Sequence, residues 1–248
     1  MPIRALSIGI VESVRYNSYA REGFRGAQIV GGLRLTRVSR CTIDRRQRTG
    51  DQNQMSLINI PKREISCKVV YYGIGLSGKT TNLYYIHRTV NPHDIGDMVS
   101  IDTETERTLY FDLLPLELGM VHGFRVRFQL YTVPGQVLYQ QTRLSVLRGA
   151  DCVVFVADSQ ASKLQENIES FKELTDQLRR MGKNPGDFPI ILQWNKRDLP
   201  GTLPTPVLDQ YLNPFRAPSF EAVAVNGRGV VESLRYAINA TLTRLDPP

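Results

Sequence analysis

The sequence predicts an α/β fold, with a mostly parallel sheet of six to seven strands, one antiparallel edge strand and helices on both faces. Short, near-continuous apolar runs alternate with stretches of helical periodicity, which is the pattern of parallel strands covered by helices. Two adjacent runs instead alternate apolar and polar residues, as the arms of a hairpin do. A glycine-rich turn joins the first strand to the first helix.

The elements follow in order. EISCKVVYYG, ending at Gly73, is apolar almost throughout and reads as a central strand. KTTNLYYIHRTV, from Lys79, follows as a helix. TLYFDLLPLEL and FRVRFQLYTV are two strands. In the second, Phe124, Val126, Phe128 and Leu130 share one face and Arg125, Arg127, Gln129 and Tyr131 the other. The short ELGMVHG joint between them predicts an antiparallel hairpin. DCVVFVAD is a buried strand, after which Ser162 is placed to cap a helix bearing apolar Leu164, Ile168, Phe171, Leu174, Leu178 and Met181. PIILQWN and FEAVAV add two strands, and a last helix carries Val231, Leu234, Ile238, Leu242 and Leu245 on one side.

Composition narrows the function classes. The three cysteines, Cys41, Cys67 and Cys152, are odd in number and widely spaced, which argues against a disulfide framework and for a reducing compartment. His87, His93 and His122 have no metal-ligand spacing, and no apolar run reaches the ~18 residues of a membrane span. The net charge of +7 invites a nucleic-acid reading, but residues 1–54 hold ten Arg, no Lys and four acids, a net +6. The rest of the chain carries +1, so no nucleic-acid partner is expected. Residues 1–54 lack sustained periodicity and are read as an N-terminal extension, disordered or arising from a start assigned upstream of Met55; a targeting or partner-binding arm is the alternative.

Two motifs carry chemistry. GIGLSGKT, residues 73–80, matches G-x-x-x-x-G-K-[ST] at a strand-to-helix junction. Gly73 and Gly78 let backbone N–H groups converge on phosphate oxygens without a Cβ in the way. Lys79 can reach the β- and γ-phosphates, and the Thr80 hydroxyl can ligate Mg²⁺. Gly75, Leu76, Ser77 and Thr81 complete the phosphate-binding set, with the helix N-terminus behind them. WNKRDL, residues 194–199, follows a strand and suits guanine: the Asp198 carboxylate can accept from N1–H and the exocyclic amino group. Asn195 can brace neighbouring loops, and the Lys196 stem can cover the base. EAVAVNGRGV is weaker: it can bring the Ala224 N–H to a base oxygen, or be an ordinary strand-to-helix loop. VPGQ, residues 133–136, looks like a turn that positions an attacking water.

Taken in order, VYYGIGLSGKTTNL, TETERTLYFDLLPL, RFQLYTVPGQVLY, LRGADCVVFVADS, QWNKRDLP and EAVAVNGRGV resemble the Ras-like small GTPases, and within them the bacterial gliding-motility MglA family. The resemblance covers residues 55–248 and implies a P-loop NTPase, the Ras-like G domain. It implies that Gln136 orients the attacking water, that Arg107 is an arginine finger supplied in cis, and that Thr108 senses the γ-phosphate through Mg²⁺. Thr103 and Thr105 compete with Thr108 for that role. It further implies GTP as substrate, a Roadblock-type activating protein (MglB-like), effectors of polarity or motility, and a cytoplasmic location, at cell poles.

Two departures bear on this. Thr132 stands where Ras-like proteins usually carry an Asp; the MglA branch reads T-V-P-G-Q as this chain does, and a hydroxyl there could hold a Mg²⁺-bound water. Ile74 stands where that branch usually has Pro. A scaffold that holds GTP or GDP without turnover is the alternative, and a metabolic ATPase a more distant one.

Overall fold

The computed structural model describes residues 57–90, 92–101, 111–121, 123–134 and 140–245. Its strands are β1 (Leu57–Asn59), β2 (Glu64–Tyr72), β3 (Val99–Ile101), β4 (Phe111–Val121), β5 (Phe124–Thr132), β6 (Cys152–Asp158), β7 (Ile190–Asn195) and β8 (Ser219–Glu221). Its helices are α1 (Lys79–Thr89), α2 (Gln140–Leu147), α3 (Leu164–Arg180), α4 (Thr205–Leu212) and α5 (Val230–Leu242). All eight strands form one sheet in the order β3-β4-β5-β2-β6-β7-β8, with β1 paired to the start of β2. The central pairings from β5 through β2, β6 and β7 to β8 are parallel; β3–β4, β4–β5 and β1–β2 are antiparallel. The expected α/β class is found. β1 and β3, three residues each, are too short for periodicity to signal.

Alternation along β2 divides the core. Ile65, Cys67, Val69 and Tyr71 pack with Leu83 and Ile86 of α1 and Leu234 and Ile238 of α5. Val70 and Tyr72 face the other way, onto Leu147 of α2, Phe171, Leu174 and Leu178 of α3, and Leu208 of α4. Both faces of the central strands are therefore covered, which is why they read as continuous apolar runs.

Three local expectations are corrected. Most of the ELGMVHG joint is strand: β4 runs to Val121, which pairs with Phe124, and a bulge between Glu117 and Gly119 absorbs the irregularity. Ser162 does not cap α3. It lies in a 3₁₀ turn, Ala161–Lys163, whose Lys163 N–H donates to Gln160 O at 2.9 Å. FEAVAV is not one strand, because β8 ends at Glu221. Beyond it the Ala224 N–H donates to the side chain of Asn195 at 2.9 Å, so a side chain replaces the backbone ladder and the chain turns.

On the α1–α5 side, β7 contributes a buried amide where an apolar residue would be ordinary. Gln193 and Asn82 of α1 exchange two hydrogen bonds, both 2.9 Å. Gln193 Nε2 also donates to Ser233 Oγ of α5 at 2.9 Å, Asn82 Nδ2 donates to Gly78 O at 2.9 Å, and all three residues are fully buried. Among the described residues no helix is long and apolar enough to cross a membrane.

Gln193→Leu strips partners from Asn82 and Ser233 and should cost about 2–4 kcal/mol in urea unfolding. Asn82→Leu with Gln193→Met should recover all but ~1 kcal/mol, since Gly78 O keeps the Asn82 backbone N–H and Ser233 keeps Gly229 O.

Candidate functional site

The chemistry-bearing loops gather where β2, β6 and β7 end, the carboxyl edge at which open α/β sheets bind ligands. The loop after β2 is forced by two glycines. A Cβ on Gly73 (φ 139°) would sit 2.3 Å from Val156 O, and one on Gly78 (φ 100°) would sit 2.2 Å from Asn195 Nδ2. Neither position tolerates a side chain. Within the loop, Lys79 Nζ donates to Gly73 O at 3.1 Å and to Ile74 O at 2.6 Å. The ammonium is buried among carbonyls, and this burial pushes its pKa down to about 7; the Arg143 guanidinium adds to the effect and the Asp112 carboxylate opposes it. A buried cation so poorly compensated favours an anionic ligand. Ser77 Oγ is buried with no hydrogen-bond partner among the described residues, a further group suited to a phosphate oxygen.

The hydroxyl of Thr80 donates to Asp112 Oδ2 at 2.7 Å. Thr132 Oγ1 donates to the same oxygen at 2.9 Å and accepts the Asp112 N–H at 2.8 Å, while Ser100 Oγ donates to Oδ1 at 2.8 Å. Asp112 thus brings a carboxylate to the place where Thr132 offers none. Three hydroxyls around one carboxylate form a hard oxygen set of the kind Mg²⁺ takes, and Mg²⁺ ordinarily completes its shell with waters and substrate phosphates. Thr80, which donates its proton to Asp112, keeps its lone pairs for a cation, whereas Thr132 has one taken by the Asp112 N–H. Among the described residues no group of three or more His, Cys, Asp or Glu side chains could hold a metal ion alone.

At the other end of α1's entry loop lies a cavity of about 210 Å³ lined by Leu76, Gly78, Thr81, Asn195, Lys196, Asp198, Leu199, Ala224 and Val225. The first and second motifs and the EAVAV segment therefore meet. Asn195 joins them: its Nδ2 donates to Ser77 O at 2.7 Å and its Oδ1 accepts the Ala224 N–H at 2.9 Å. A base oxygen reaching Ala224 would share that N–H with Asn195. Lys196, at a left-handed φ of 65°, pairs with Asp158 at 2.7 Å, and Asp198 is exposed at the cavity wall. Gly75 is half-buried at the loop's crest and Leu76 is exposed.

Arg107, Thr108 and Gln136 lie outside the described residues, as do Thr103 and Thr105. Sequence reasoning missed Asp112, Asp158, Asn82 and Gln193. Their signal is faint: for Asp112, Asp158 and Gln193 a polar residue inside an otherwise apolar strand or at its end, for Asn82 a polar residue in the first turn of a helix.

No protein-family model matches the chain. Over 191 residues it is 47% identical to the mutual gliding-motility protein MglA of Myxococcus xanthus, covering 77% of this chain and 98% of that protein. It is 30% identical over 139 residues to the Ras-related protein Rab-7a of Dictyostelium discoideum and, over the same length, to a Ypt/Rab-type GTPase of Schizosaccharomyces pombe. In both of these the match spans 56% of this chain and 62% of the relative.

Asn195→Ala removes both staples and leaves Ser77 O and the Ala224 N–H without the amide. Thermal and urea unfolding should register a loss of about 2–3 kcal/mol. GDP binding, followed by titration calorimetry, should weaken at least about tenfold as both loops lose their mutual register.

Proposed function

The chain belongs to the MglA family of Ras-like small GTPases, and from that premise we propose that it is a Mg²⁺-dependent molecular switch hydrolysing GTP to GDP and phosphate. The observation that supports this best is the convergence on one sheet edge of a buried cationic phosphate loop, a Thr80–Asp112–Thr132 oxygen cluster and a cavity walled by Asn195, Lys196 and Asp198. In this reading residues 55–248 are the G domain and residues 1–54 an extension.

The roles follow from charge and reach for the described residues, and from the family resemblance for Thr108, Arg107 and Gln136. Backbone N–H groups from Gly75 to Thr81, with Lys79, cradle the phosphates. Asp198 accepts from the guanine N1–H and amino group, Asn195 keeps the two flanking loops in register, and Ala224 lies beside the base oxygen. Thr80 and Thr108 would hold Mg²⁺, with Asp112 serving in place of the acid absent at Thr132; when bound, the ion neutralises charge on the β- and γ-phosphates. Gln136 orients water for in-line attack, and Arg107 offsets charge accumulating on the transferring phosphoryl group. The barrier to phosphoryl transfer is lowered chiefly by positioning and neutralisation, so the placement of Arg107 and Gln136 against the phosphate sets the rate. A Roadblock-type activating protein would supply that placement, and effectors of cell polarity or gliding motility would read the GTP form in the cytoplasm.

Single-turnover phosphate release tests the enzyme reading. Wild-type protein loaded with GTP should release phosphate slowly, and Gln136→Leu or Arg107→Ala should slow this at least about 10²-fold. A chain that loads GTP but releases nothing is a scaffold instead. The metal reading has its own test. Chelation should speed GDP release from the wild type, whereas Asp112→Asn should release GDP fast at all Mg²⁺ concentrations; an unchanged Mg²⁺ titration removes Asp112 from the site.

A further inference from the structure

Asp158 ends β6 with only 2% of its surface exposed, and its four polar atoms are all engaged, by three residues. Asn167 of α3 clamps its backbone: the Asp158 N–H donates to Asn167 Oδ1 at 3.3 Å, and Asn167 Nδ2 donates to Asp158 O at 2.8 Å. Its carboxylate accepts the Gln160 N–H at 3.1 Å on one oxygen and the Lys196 ammonium at 2.7 Å on the other. The acid is thus fixed before it meets the lysine. Lys196 in turn occupies a left-handed φ of 65°, a conformation costly for any residue with a Cβ, and it lines the cavity beside Asp198 and Leu199.

A flexible ammonium two residues from Asp198 has an obvious alternative partner in that carboxylate. Pairing there would neutralise the acid and fold the lysine stem across the cavity. Asp158 draws the ammonium the other way. We infer that Asp158 is a positioning residue for guanine selection, holding Lys196 off Asp198 so that the Asp198 carboxylate stays free for the base and the Lys196 methylenes form a fixed wall. This rests on the guanine-nucleotide reading above.

The experiment compares dissociation of GDP and IDP from the full chain. Hypoxanthine lacks the exocyclic amino group, so the GDP:IDP preference reports the Asp198 contact, whereas general loosening of the fold speeds both releases alike. Asp158→Asn should speed GDP release about tenfold and shrink the GDP:IDP preference by about threefold or more. In a Lys196→Met background, with no ammonium to hold, the same substitution should change the preference by less than about twofold. The inference is overturned if Asp158→Asn leaves the preference within about twofold of wild type, or if its effect persists in full beside Lys196→Met. Should Asp158→Asn fail to fold, Asp158→Glu, which keeps the charge but displaces it by a methylene, is judged by the same criteria. A wild type that binds neither GDP nor IDP refutes the guanine reading itself, a separate outcome.

Discussion

The site depends on one buried side chain that spends both ends of its amide on backbone. Asn195 donates to Ser77 O and accepts from Ala224 N–H, so loops about 147 residues apart in sequence keep one geometry. Without that bridge the phosphate loop and the base loop would each pack against the sheet but not against each other. Gln193, two residues earlier and on the same face of β7, ties α1 to α5 through the side chains of Asn82 and Ser233. A strand has period two, so both amides point at the α1–α5 layer while Leu192 and Trp194 fill the opposite core. The fold thereby turns a single strand into the ruler of the cavity.

Charge is placed with the same economy. The buried or half-buried ionic groups around the candidate site are compensated: Lys196 pairs with Asp158, Arg143 with Glu173, and Asp112 accepts from three hydroxyls. Lys79 is different. It has carbonyls for company, and its ammonium is disfavoured by burial and by Arg143. An unmatched cation in a set of matched ones marks where an anion belongs.

The GKT loop and the NKRD turn, which meet at one cavity, stand out in the sequence because the chemistry proposed for each is contiguous. A phosphate needs successive backbone N–H groups, and guanine needs an acid at a fixed step from a bracing amide, so residue type and spacing suffice. The large strands were legible because both their faces are buried. Asp112 was not legible, because it meets Thr132 only through the antiparallel register that sets Leu113 against Tyr131. Register is a property of two strands together, and nothing in FDLL taken alone reports it. The same holds for Asn82 and Gln193, which lie far apart along the chain. Ser162 misled for a converse reason: a good capping residue stands near a helix start, but the 3₁₀ turn satisfies the backbone first.

The two sides of the candidate site differ in what holds them. On the base side, side-chain amides are fastened to main-chain groups, and opening that side strands buried backbone polar groups at a cost of about 1–3 kcal/mol each. Around Asp112 the contacts are mostly side chain to side chain, from hydroxyls of Thr80, Thr132 and Ser100. A hydroxyl can turn from a carboxylate to a cation or a water with little change in its own energy. Among the described residues of the candidate site, the exchangeable interactions are therefore those around Asp112, and the fixed ones those of Asn195. The proposed nucleotide switch would need this asymmetry, because a base held on the Asn195 side would stay in place while γ-phosphate contacts on the Asp112 side are made and lost.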